Sequence, residues 1–204
     1  MIALQAFCNK NLVEAGCDEA GRGCLSGPVV AGAVVLNPDN PIRGLNDSKM
    51  LNEKSRLLLR DEILKKALDY GVGIVSNVEI DEINILNASF LAMHRAVDHL
   101  KKIKPEHLLI DGNRFNKYHD VPHSCIVKGD GIYQSIAAAS ILAKTTRDQI
   151  MQDLDEKHPE YDWCNNKGYP TKKHRKAIAE FGTTPHHRMS FNLLGDNWQL
   201  GLFK

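Results

Sequence analysis

Asp18-Glu19-Ala20-Gly21-Arg22-Gly23 closes an apolar run with two adjacent carboxylates, then turns on two glycines around an arginine. A carboxylate pair can hold a hard divalent cation. A Gly-Arg-Gly turn can lay backbone N–H groups and a guanidinium against a phosphate. Metal and phosphate gripped by consecutive residues point to phosphoryl-transfer chemistry on a nucleic acid. By itself a Gly-Arg-Gly also reads as a solvated turn, so its surroundings decide. Before it, Glu14 to Asp18 reads as the first strand. After it, Pro28 to Leu36 reads as the second, and Val29-Val30-Ala31-Gly32-Ala33-Val34-Val35 is too uniformly apolar for a sheet edge.

Further along, Asn52 can cap a helix running to about Tyr70, with Leu57, Leu58, Leu64 and Leu68 as its apolar positions. Gly71 to Ser76 reads as a third strand. A helix from about Val78 carries Phe90, Met93, Val97 and Leu100 on one stripe and stops before Pro105. His107-Leu108-Leu109-Ile110-Asp111 is a short buried strand ending in an acid, and Ser124 to Val127 is another. Ile132 to about Lys157 is a long helix whose Ala137-Ala138-Ala139-Ser140 run lets it approach a sheet closely. Past Pro159 the chain is polar, until a helix from Thr171 to Phe181 and a tail. This order predicts an α/β sheet opening with an antiparallel pair, helices on both faces and a C-terminal helical extension.

The 204 residues are 43% hydrophobic and 25% charged, enough for a core and typical of a soluble globular chain. A net charge of +1 does not advertise a polyanion partner. Locally the balance shifts: Lys157 to Arg188 holds seven Lys/Arg (157, 167, 172, 173, 175, 176, 188) against three acids (160, 162, 180). That excess can follow a phosphate backbone or form a solvated basic face. Five cysteines without a C-x-x-C pair fit free thiols in a reducing compartment. No signal-like start and no long apolar run is present, so a cytoplasmic, monomeric protein without membrane contact is expected.

Four acids stand where strands end or a helix begins: Asp18, Glu19, Asp111 and Asp130. Carboxylates at neighbouring strand ends can converge at one rim of an α/β sheet, where such sheets bind ligands. Crowded together they repel unless cations compensate, so Mg²⁺ or Mn²⁺ is expected, one ion or two. Taken singly, Asp111 in Ile-Asp-Gly-Asn can start a turn and Asp130 can cap a helix. Asp148 is a rival for the fourth place, but a helix rising about 1.5 Å per residue carries it some 25 Å from the Asp130 end. Asp130 is therefore preferred.

Asp18-Glu19-Ala20-Gly21-Arg22-Gly23, Asn46-Asp47-Ser48-Lys49, Ile110-Asp111-Gly112-Asn113 and Lys128-Gly129-Asp130 resemble successive motifs of bacterial ribonuclease HII. Ser135 to Lys144 with Thr146-Arg147-Asp148, then Gly168-Tyr169-Pro170-Thr171 and His187-Arg188-Met189-Ser190-Phe191, continue the resemblance in the same order. Cys24-Leu25-Ser26 departs from it where that family often has proline. The resemblance implies a ribonuclease H-like catalytic domain over 1–157, with a mixed central sheet flanked by helices. A helical extension and tail over 158–204 would pack on the same domain.

It implies hydrolysis of the RNA strand of RNA–DNA hybrids and incision 5′ of single ribonucleotides embedded in duplex DNA, leaving 3′-hydroxyl and 5′-phosphate ends. Asp18, Glu19, Asp111 and Asp130 would be the metal-binding catalytic carboxylates. Gly21, Arg22 and Gly23 would contact the ribonucleotide and its phosphate, and Tyr169 would read the junction. Glycine lets a backbone approach a sugar, and a tyrosine can stack on it while its hydroxyl bonds the 2′-OH. A half-buried core tyrosine is the plainer reading of Tyr169 without its Gly-Tyr-Pro-Thr setting. Ser48, Lys49, Ser140 and Lys144 are candidates for phosphate contacts, the last two four residues apart on one helix face.

In the tail, Gln199-Leu200-Gly201-Leu202-Phe203 resembles the peptide by which bacterial repair proteins dock on the sliding clamp. Gln199, Leu200, Leu202 and Phe203 would make that contact; a tail folded on its own domain is the other reading. A catalytically inactive nucleic-acid binder and another ribonuclease H-like nuclease are the rival functions.

Overall fold

A computed structural model of the chain describes residues 4–46, 48 and 50–195. Its strands are β1 (Glu14–Ala20), β2 (Val29–Val35), β3 (Asp69–Val75), β4 (His107–Asp111) and β5 (His123–Ile126). They form one five-stranded sheet in the order β3-β2-β1-β4-β5. β1–β2 and β2–β3 are antiparallel, while β1–β4 and β4–β5 are parallel. The sheet is mixed, and the apolar β2 lies inside it as its composition requires.

The helices are α1 (Glu53–Lys66), α2 (Asn77–Asp98), α3 (Gln134–Asp155), α4 (Trp163–Asn166) and α5 (Lys172–Phe181), with 3₁₀ turns at Gly129–Gly131 and Pro159–Tyr161. α3 crosses β1 and β2 at very short range, and glycine makes this possible. A Cβ on Gly16 would lie 2.2 Å from the Ser135 carbonyl carbon, and one on Gly32 would lie 2.4 Å from the Ala139 carbonyl oxygen. On the opposite face Ala31, Ala33 and Val75 pack with Ala92, Met93 and Ala96 of α2 in the main core. Behind α3, Val34 packs with Leu59 and Ile63 of α1. A third cluster joins Leu25 and Met151 to Tyr161, Trp163, Ala177 and Ile178, seating the C-terminal helices on α3 and the loop after β1.

Most boundaries fall where the sequence places them. Asn52 accepts the Ser55 N–H at the start of α1, and Thr171 accepts the His174 N–H at the start of α5. Ser76 and Glu79 close a capping box on α2. Three details differ. α1 ends at Lys66 instead of Tyr70, because Ala67 turns extended and Tyr70 joins β3. Its buried residues are Leu59 and Ile63, while Leu57, Leu58 and Leu64 are exposed and Leu68 lies beyond the helix. Three consecutive leucines do not fix a helical phase; contact of Leu59 and Ile63 with α3 does. α2 is broken at Asn84 (φ 64°), whose side chain accepts from the Leu86 and Asn87 N–H groups and restarts the helix.

Candidate metal centre and nucleic-acid face

The parallel register of β1 and β4 sets Cys17 opposite Ile110, so the next residues, Asp18 and Asp111, come side by side. Asp18 is buried. Burial first, then the charges of Glu19 and Asp111, hold its carboxyl well above the ordinary carboxylate range; hydrogen bonds from Ser140 and from the Glu19 N–H (2.7 Å) oppose this. Burial also raises Glu19, against the pull of Arg22, whose Nη1 donates to Oε1 at 3.1 Å. The other Glu19 oxygen, Oε2, is buried with no hydrogen-bond partner. Asp111 Oδ1 accepts the Gly129 N–H at 2.7 Å. Asp130 is the next residue, buried inside the 3₁₀ turn.

Three of the predicted carboxylates thus share one electrostatic neighbourhood, and the fourth is one residue from the loop tied to Asp111. Among the described residues no three His, Cys, Asp or Glu side chains already stand as a metal cage. Arg22 occupies one Glu19 oxygen instead. The donor set nevertheless suits a hard divalent ion: it is all carboxylate oxygen, one Glu19 oxygen is buried without a hydrogen-bond partner among the described residues, and the charges of Glu19 and Asp111 press on Asp18. Asp148, the rival ligand, is engaged by the Lys144 ammonium one turn earlier on α3.

Beside the acids, the turn at residues 21–28 is held by two buried arginines. Arg147 donates to the carbonyls of Pro28 (2.9 Å), Lys167 (2.7 Å) and Ser26 (3.0 Å). Arg188 donates to those of Gly27 (3.0 Å), Arg22 (3.0 Å) and Pro28 (3.1 Å). Arg188 therefore does not follow a phosphate backbone, as the basic stretch suggested; it fixes the Gly-Arg-Gly turn from inside. Lys173 pairs with Asp162, and Arg175 caps the carbonyls of Asn192 and Leu193, so these cations of the same stretch also have partners within the fold. No carboxylate betrays either buried arginine in the sequence, because both bind main-chain oxygens.

Gly21 adopts φ 100° and leaves room for Arg147; a Cβ there would lie 2.1 Å from its Nε. At Gly23 a Cβ would meet nothing within 4 Å, so the backbone is open to an approaching molecule. Arg22 is half exposed (51%). Tyr169 is brought to this turn by the Leu25 N–H bond to Gly168 (2.8 Å). The residue is 42% exposed, and burial, with the neighbouring Cys24 thiol, pushes its phenol up. Ser48 and Ser140 are buried with their hydroxyls 2.9 Å apart, and Ser140 also bonds Asp18. Lys49 and the tail residues Gln199, Leu200, Leu202 and Phe203 lie outside the described residues.

Among the described residues no helix is long and apolar enough to cross a membrane. A family model described as Ribonuclease HII matches residues 15–194. The Ribonuclease HII of Bacteroides thetaiotaomicron is 67% identical over 199 residues, covering 98% of each chain. That of Phocaeicola vulgatus is 65% identical over 197 residues, covering 97% of this chain and 98% of its own. Among solved structures, the ribonuclease H2 from Pyrococcus horikoshii aligns with a TM-score of 0.73 at 29% identity, covering 89% of this chain and 94% of that one. The PCNA:RNase HII complex from Archaeoglobus fulgidus aligns with a TM-score of 0.74 at 27% identity, covering 91% of this chain and 98% of that one.

Proposed function

The chain belongs to the ribonuclease HII family, an endoribonuclease family acting on RNA–DNA hybrids, and from that premise we propose that Asp18, Glu19, Asp111 and Asp130 hold its divalent metal, Mg²⁺ or Mn²⁺. The observation that carries this assignment is the buried, unpartnered Glu19 oxygen beside the mutually repelling Asp18 and Asp111. A bound cation would supply activation of the attacking water and neutralisation of charge at the departing 3′-oxygen.

The remaining residues bind and orient. Ser140 and the Glu19 N–H fix the Asp18 carboxylate, and the Gly129 N–H fixes that of Asp111. Gly23 lets the main chain reach a ribose 2′-OH without a side chain in the way. Arg22, half exposed, can exchange its Glu19 contact for a phosphate. Tyr169 offers a ring face to the sugar or base across the scissile junction. Lys144, exchanging its Asp148 contact for a phosphate, would with Lys49 hold neighbouring phosphates. Cleavage of the P–O3′ bond on the 5′ side of the ribonucleotide then gives 3′-hydroxyl and 5′-phosphate ends.

A duplex with one embedded ribonucleotide, paired with an all-DNA control and assayed with and without Mg²⁺ or Mn²⁺, tests the proposal. Metal-dependent incision of the first duplex alone is expected; cutting of both, or of neither, overturns it. The tail motif Gln199-Leu200-Gly201-Leu202-Phe203 supports a sliding-clamp contact, since a relative was solved in a PCNA:RNase HII complex. Clamp affinity undiminished by deleting 199–204 would refute the tail as the docking segment.

A further inference from the structure

His174 lies on α5, five residues after Tyr169, and its side chain is wholly buried. Its Nδ1 is 3.0 Å from the Tyr169 carbonyl oxygen. A carbonyl only accepts, so Nδ1 carries a proton and donates. Its Nε2 receives the Trp163 indole N–H at 2.9 Å. An indole N–H only donates, so Nε2 carries no proton. Two independent partners thus fix one neutral tautomer. The same Nε2 lies 3.2 Å from the Ser26 hydroxyl, three residues after Gly23. Ser26 in turn faces His187 in an antiparallel bridge, and its carbonyl takes an Arg147 bond. One imidazole therefore joins the main chain of Tyr169 to the turn that carries Gly21-Arg22-Gly23.

We propose that His174 is a positioning residue for ribonucleotide reading: by donating to the Tyr169 carbonyl while accepting from Ser26 and Trp163, it sets the distance between the tyrosine ring and the Gly-Arg-Gly turn. The proposal rests on the reading of Tyr169 as the residue that meets the junction. It explains why a tyrosine with 42% of its surface open is nevertheless anchored, through its backbone, to one of the most buried side chains of the C-terminal region. It also assigns the buried Trp163 a task beyond packing, since its indole N–H excludes the other tautomer.

Two substitutions separate the two ends of the imidazole. His174→Asn places an amide N–H near Nδ1 and keeps the bond to Tyr169 while losing the acceptor. His174→Gln reaches the Nε2 position, keeping the acceptor while losing the donor to Tyr169. On a duplex with a single ribonucleotide each variant cuts one end of the link, so both His174→Gln and His174→Asn should lower kcat/KM by at least about tenfold. Melting temperatures identify any common loss of folding. In a Tyr169→Ala background both effects should vanish, since there is no ring left to position.

A wild-type kcat/KM in either variant, or an undiminished effect of either one without the Tyr169 ring, overturns the inference. An unchanged kcat/KM for Tyr169→Ala alone overturns the reading of Tyr169 itself. Should neither His174 variant fold, ¹⁵N spectra of the wild type decide: Nδ1-protonated His174 is expected, and the Nε2-protonated tautomer refutes the proposal.

Discussion

Asp111→Asn should make the metal-free protein more stable and inactive at once. The substitution removes a negative charge that raises both Asp18 and Glu19, and it keeps an oxygen able to accept the 2.7 Å bond from the Gly129 N–H. Neighbouring strands lie about 4.8 Å apart. Two unit charges at that spacing repel by about 3.5 kcal/mol at an effective dielectric of 20. Water at the sheet rim and proton uptake by Asp18 relieve part of this, leaving a net gain of roughly 1–2 kcal/mol for the variant. For a chain of 204 residues that corresponds to a rise in Tm of about 2–8 °C in EDTA. Adding Mn²⁺ should raise the wild-type Tm and leave the variant nearly unmoved, reversing the order as the ion saturates. Cleavage by the variant should fall at least about a thousandfold. The assay is a melting series in EDTA and in Mn²⁺ beside a gel-based cleavage assay. A variant that melts below the wild type in EDTA, or that cuts at the wild-type rate, would refute the reasoning.

Other outcomes follow from the packing and the turn. Gly16→Ala should cost about 3 kcal/mol or more, read by urea unfolding, because its methyl would lie 2.2 Å from the Ser135 carbonyl carbon. Gly23→Ala, with nothing within 4 Å of its methyl, should unfold within about 0.5 kcal/mol of the wild type yet lose about tenfold or more in single-ribonucleotide cleavage. Arg188→Lys cannot span three carbonyls with one ammonium; a stability loss of about 2–4 kcal/mol and a matching fall in kcat/KM are expected, and unchanged values of both would discount Arg188 as the support of the turn. Burial, with neighbouring His174, lowers His187 to about 4, and the Thr184 N–H occupies its Nδ1. As pH falls from about 6.5 to 4 the unfolded chain takes up a proton that the native one refuses, so stability drops, by roughly 2–3 kcal/mol at pH 4.5. His187→Gln should remove that slope; parallel profiles would deny it.

The sheet and the acids were legible for a common reason: each signal is local. A uniformly apolar β2 must be interior, and Asp18, Glu19 and Asp111 follow buried strand residues, so the strand register alone brings Asp18 and Asp111 together. The phase of α1 was not legible, since Leu57-Leu58-Leu59 points every way and only contact with α3 selects Leu59. Arg147 and Arg188 were hidden for a different reason. A cation in a sequence defaults to the surface, and these two are buried on carbonyls from distant segments that no spacing announces. His174 belongs with them, because its partners on Tyr169, Trp163 and Ser26 meet only after α5 has docked.

Crystals soaked in Mn²⁺, with anomalous scattering recorded at the manganese edge, reach the shared premise without relying on turnover. Density among the oxygens of Asp18, Glu19, Asp111 and Asp130, lost in Asp18→Asn, is the expected result. Manganese bound elsewhere, or an empty acidic rim at saturating concentration, would contradict it.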